Sequence, residues 1–249
     1  CRVRGGRGGE MGRARGIQGR LQPSGLPAFE GLDTASLALP SRHVAGDYFD
    51  AIKLDENRML YAIADVTGKG VPASLLMSNL QACLRILVPL DVTLEEGTSH
   101  MNRVITENTS YDKFITYFHG IYDKRDRSFQ YVNAGHNPAT LVRADGSFEL
   151  LETGGLLLGV IAGMPYESAK VTLNVGDVLC IFTDGVTEAM SPDEEEWGEK
   201  RLEPLLVSLR DRSAAEILAG VHDAIKEFTH HAPVLSDDLT MIILKAVEC

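Results

Sequence analysis

Cysteine is scarce in this 249-residue chain: Cys1, Cys83, Cys180 and Cys249 stand far apart, with no C-x-x-C pair. That spacing points away from a disulfide framework and a thiolate zinc site, and it fits a reducing cytoplasm. Neither Cys83 nor Cys180 opens a C-x5-R phosphate loop, and both fall in apolar runs, where thiols serve as core residues. Aromatic residues make up only 6% of the chain, with a single Trp. No apolar stretch is read as reaching the ~18 residues of a membrane span, and the N-terminus has no signal-peptide core. No nucleotide-binding glycine motif follows a strand in the required form.

Positive charge is concentrated at one end. The first twenty residues carry six Arg and one Glu, whereas the whole chain carries −11. This Arg/Gly run has no aromatic side chain on which a base could stack, and the acidic remainder disfavours nucleic acid. Residues 1–20 are therefore expected to be a disordered tail, and residues 21–249 one catalytic domain of ordinary size.

Carboxylates at the ends of apolar runs are what the chain does have. Asp47 lies in AGDYFD, Asp65 in YAIADVTGKG, Asp184 in LCIFTDG and Asp237 in SDDLTMIILK. Any one of them alone reads as a turn residue. Together, at the ends of neighbouring strands, they would converge on one rim and repel one another unless cations sat between them. Hard divalent ions take such oxygen ligands. The residues thus point to a metal-dependent hydrolase.

The segments AGDYFD, DVTGKGVPASLLM, YVNAGHNPATLV, LCIFTDGVTEA and SDDLTMIIL, in this order, resemble the RsbU/SpoIIE branch of the PPM (type 2C-like) metal-dependent protein phosphatases. The resemblance runs from about Ile17 to Ala246. It implies an α+β fold, an αββα sandwich of two mainly antiparallel sheets flanked by helices. It also implies two Mn²⁺ or Mg²⁺ ions held by Asp65, the Val66 carbonyl, Asp184 and Asp237, with Asp47 orienting metal-bound water. Asp237 is favoured over Asp238 as the ligand. Such ions activate water for in-line attack on phosphate. The implied substrate is phosphoserine or phosphothreonine on a regulatory protein, a STAS-domain anti-anti-sigma factor. The segment from Ile17 to Ser41 reads as a connector, so an upstream sensory domain or partner is expected, acting through the helices that follow DVTGKG. A homodimer is left open. A phosphate-gripping arginine has no convincing counterpart, and Arg42 is a weak candidate. The alternatives are a non-catalytic domain of this fold and a small-phosphoester metallohydrolase.

Patterning places these motifs. Asp47–Leu54 and Arg58–Ala64 read as a hairpin across DEN, followed by helices at Val71–Leu87 and Leu94–Asn108. Leu76, Leu80, Cys83 or Leu84, and Leu87 supply the first helix's apolar stripe. Strands are expected at FITYFHGIYD, SFQYVNAG, ATLVRA, FELLE, SAKVTLN and DVLCIFTD. Ser213 and Glu216 make a capping box for a late helix. Lys69 reads as a solvated lysine, and His136 and His119 as structural histidines. Trp197 and Gly198 are candidates for a recognition flap.

Overall fold

The computed structural model describes residues 4–90, 92–110, 112–232 and 235–248. Strand alternation decides its architecture. In β3 (Arg58–Val66), Met59, Tyr61 and Ile63 enter one apolar cluster, while Leu60, Ala62, Ala64 and Val66 enter another. The same parity divides β10 (Val178–Phe182) and β11 (Leu239–Ala246). Leu179, Ile181, Ile242 and Leu244 join the first cluster; Cys180, Phe182, Met241 and Ile243 form part of a third. Strands apolar on both faces must be covered on both. Two sheets accordingly face each other across the first cluster, with helices on their outer faces.

One sheet runs β1 (Leu32–Leu39), β11, β10, β6 (Ala139–Val142), β7 (Phe148–Leu151). The other runs β2 (Tyr48–Lys53), β3, β4 (Ile115–Asp123), β5 (Ser128–Ala134), β8 (Gly154–Gly155), with β9 (Ala169–Thr172) also on β5. Only the β5–β8 pairing is parallel among the described strands. Helices α2 (Val71–Leu87) and α3 (Leu94–Asn108) cover the second sheet; α4 (Glu199–Leu209) and α5 (Ala214–Phe228) cover the first. This is the αββα sandwich that the resemblance implies.

Local chemistry sets the helix ends. Pro72 lies in the first turn of α2, where its missing N–H costs nothing. Capping boxes close the starts of α3, through Thr93 and Glu96, and α5, through Ser213 and Glu216. The face that α2 buries is Ala73, Met77, Leu80 and Leu84, with Leu76, Cys83 and Leu87 at its margin.

Four expectations change. Arg4–Gln18, expected within a disordered tail, is a helix, α1. Its glycines are poor helix formers, but Gln18 anchors its end by accepting from the Ala45 N–H at 2.9 Å and donating to the Ala45 carbonyl at 2.7 Å. The expected connector contains β1, which pairs with β11 along its whole length because its own backbone groups complete the sheet edge. Val71–Leu90 does reach the length and apolarity of a membrane span, with mean hydropathy 1.4, yet Met77 and Leu80 are fully buried under the sheet. Trp197 is buried between α4 and the first sheet's outer face, so a large apolar ring packs in the core and does not form a flap.

Candidate functional site

Register alone brings the four aspartates to one end. Tyr48 pairs with Ala64, so Asp47, just before β2, sits beside Asp65 near the end of β3. Phe182 pairs with Met241, so Asp184, just after β10, and Asp237, just before β11, overhang the same end of the other sheet. The two sheets are tied together there. The buried Asp47 carboxylate accepts from Thr183 Oγ1 at 2.8 Å and from Thr240 Oγ1 at 2.6 Å, both from the opposite sheet.

Crowding shows in the protonation equilibria. Burial and the neighbouring Asp65 charge hold Asp47 well above the ordinary carboxylate range. Burial, then Asp184 and Asp237, push Asp65 up to about 7, with a hydrogen bond from Asp47 opposing the rise. Burial and Asp237 raise Asp184, and burial and Asp184 raise the nearby Glu188. Such shifts cluster at functional sites. The donors are oxygens, which fits a hard divalent ion. Among the described residues no three His, Cys, Asp or Glu groups close into a ready cage.

The adjacent aspartates divide their work. Asp238 is buried and spends both oxygens inside the protein: Oδ1 accepts from the Ser41 N–H and hydroxyl, and Oδ2 from the Gly46 N–H at 2.7 Å. Asp237 is part-exposed, and its Oδ2 lies 2.8 Å from Lys69 Nζ. Val66 ends β3, its carbonyl oxygen 3.0 Å from where a Cβ on Gly46 would stand. Gly185 admits no side chain, since a Cβ there would meet the Asp238 carbonyl at 2.0 Å. That close approach is what lets the loop after β10 lie against the start of β11.

The chain matches the model of the family described as Stage II sporulation protein E (SpoIIE) over residues 55–247. The chain belongs to the SpoIIE family. It is 32% identical over 238 residues to the phosphoserine phosphatase RsbU of Bacillus subtilis, covering 95% of this chain and 70% of RsbU. The SiaA-PP2C domain of Pseudomonas aeruginosa shares its fold, with a TM-score of 0.79, 18% identity and 96% of each chain covered. RsbX, solved in complex with magnesium, also shares it, with a TM-score of 0.65, 19% identity, and 88% and 98% covered.

Several groups in this SpoIIE-family site escaped the sequence reading. Thr183 and Thr240 flank Asp184 and Asp237 in the motifs, but their shared partner Asp47 is more than a hundred residues away. Ser41 was hidden for the same reason. Lys69 is not simply solvated, and Arg42 is exposed beside the Ser41 clamp. His136 is buried, its Nδ1 2.8 Å from Thr116 Oγ1, and burial lowers it to about 4. Since Thr116 pairs with Asp65 across β3 and β4, His136 braces that strand end as a neutral ring. His119 is likewise buried against Thr98 and lowered to about 3. Cys180 is a core thiol, Cys83 lies at the edge of the core, and Cys1 and Cys249 lie outside the described residues.

Proposed function

We propose that this chain is a metal-dependent serine/threonine phosphatase of bacterial signalling. Its substrate class is phosphoserine or phosphothreonine on a regulatory protein, a STAS-domain anti-anti-sigma factor, dephosphorylated in the cytoplasm. The observation that carries the reading is the meeting of Asp47, Asp65, Asp184 and Asp237 from two sheets at one rim, where burial and the neighbouring carboxylates raise Asp47, Asp65 and Asp184. That arrangement costs stability without a cation, and a protein keeps such a cost at a working site.

Asp65, Asp184, Asp237 and the Val66 carbonyl would hold the ions, two of Mn²⁺ or Mg²⁺. When bound, they supply the positive charge that activates water and stabilises in-line phosphoryl transfer. The chain's own residues then fix geometry. Thr183 and Thr240 orient the Asp47 carboxylate, which carries or releases a proton beside Asp65. Asp238 pins the Ser41–Gly46 loop that delivers Asp47. No side-chain nucleophile is needed, and the buried Cys180 thiol, raised by burial, is unsuited to be one.

The test is phosphate release from phosphorylated STAS-domain proteins encoded near this gene. Release should require Mn²⁺ or Mg²⁺, stop with EDTA, return on adding metal, and survive thiol alkylation of folded protein. A covalent phosphocysteine, or turnover that resists EDTA, would contradict the proposal. Release only from small phosphoesters would favour the metallohydrolase alternative, and metal binding without any turnover a non-catalytic domain.

A further inference from the structure

The rim carries a cation of its own. Lys69 stands at the tip of the turn joining β3 to α2, between Gly68 and Gly70, whose φ values of 93° and 77° lie in the left-handed region that glycine accepts freely. Its Nζ donates to the Ser236 carbonyl at 2.6 Å and lies 2.8 Å from Asp237 Oδ2, with the lysine side chain 32% exposed. Among the described residues, no other ion pair joins a basic side chain to Asp47, Asp65, Asp184 or Asp237. Lys113 is nearby, its Nζ 3.4 Å from where a Cβ on Gly68 would stand, but its ion-pair partner is Asp112.

A part-exposed lysine–carboxylate pair is weak, because solvent screens it and the long side chain gives up freedom to make it. A divalent ion at Asp237 brings twice the charge and displaces it at little cost. The freed ammonium stays beside the ions, on a turn with a glycine on each side, where a phosphate would bring fresh negative oxygens. Lysine binds phosphate well as a point charge. We propose that Lys69 alternates between two partners: it is the counter-ion of Asp237 in the metal-free protein and the phosphate-gripping side chain of the metal-loaded one. It thereby fills the place for which the sequence offers no convincing arginine. This inference rests on the proposed metal site for its first partner and on the phosphatase reading for its second.

Calorimetric titration of the full chain with Mn²⁺ alone tests the first partner. Lys69→Gln should bind Mn²⁺ several-fold more tightly than the parent, since the metal no longer competes with an internal cation. Titration of the Mn²⁺-loaded proteins with inorganic phosphate tests the second. Lys69→Gln should bind phosphate at least tenfold more weakly, and Lys69→Arg should stay within about threefold of the parent. Where turnover is measurable, KM for a phosphoserine protein should rise with kcat changing less. Unchanged Mn²⁺ affinity in Lys69→Gln, or unchanged phosphate affinity, overturns the inference. Both titrations read out even if the parent shows no turnover, so failure of the phosphatase reading remains a separate result.

Discussion

Asp65 illustrates what a single side chain costs and what it does. Its ordinary pKa of 3.8 is raised to about 7 by burial and by Asp184 and Asp237. Between those values the unfolded chain has released a proton that the metal-free folded chain still holds. Stability of the metal-free protein therefore falls as pH rises through that interval and flattens above it. Asp65→Asn removes the penalty. In EDTA at pH 8 the variant should melt at a higher temperature than the parent, an advantage that disappears near pH 4; a variant that melts lower at pH 8 would mean the carboxylates do not strain the fold. Arg85 makes the opposite case. From α2 it donates to both oxygens of the fully buried Asp50, from Nε at 2.9 Å and Nη2 at 2.7 Å. Arg85→Ala should cost about 2 kcal/mol, less than the usual loss from a buried pair because the guanidinium is part-exposed, as urea denaturation would show. This contact joins α2 to β2 across 35 residues of chain, and no local pattern reveals it.

At the scale of elements, α2 and α3 were legible because their signals are local: Gly70, Pro72 and Thr93 mark starts, and apolar residues recur at helical spacing. Of the stripe Leu76, Leu80, Cys83 or Leu84, and Leu87, the structure buries Leu80 and Leu84; Ala73 and Met77 complete the buried centre, and Leu76, Cys83 and Leu87 lie at its margin, since the sheet selects the face that fits. Met77→Ala should accordingly cost about 2–5 kcal/mol, whereas Leu75→Ala, at a 67% exposed position, should fall within about 0.5 kcal/mol of the parent. Similar losses at both positions would contradict the orientation of the helix. The exposed face that includes Leu75 and Ile86 is where an ordering partner would act. If α2 is a switch, Leu75→Ser and Ile86→Ser should reduce activation by an upstream region more than they change the basal metal-dependent rate. Equal activation in parent and variants would sink that role. Elements whose reasons are non-local went unread: β1 gains its place only from pairing with β11, and α1 gains its end from Gln18 on Ala45.

For the whole molecule, the sandwich puts chemistry where two sheets end together. The sequence motifs named Asp47, Asp65, Asp184 and Asp237 because each closes or precedes an apolar run, and strand register then explains why they meet. The braces around them, Thr183, Thr240, Ser41 and Lys69, could not be read from spacing, as each acts across the gap between distant segments. The central claim is that this rim works through divalent ions held by its aspartates. It is tested most directly by phosphate release from a phosphoserine protein across a Mn²⁺ titration, for the parent, Asp65→Asn and Asp184→Asn. The account predicts saturable, EDTA-reversible release by the parent and a loss of at least a hundredfold in kcat for both folded variants at every Mn²⁺ concentration. Near-parental turnover by either variant at saturating metal would contradict it.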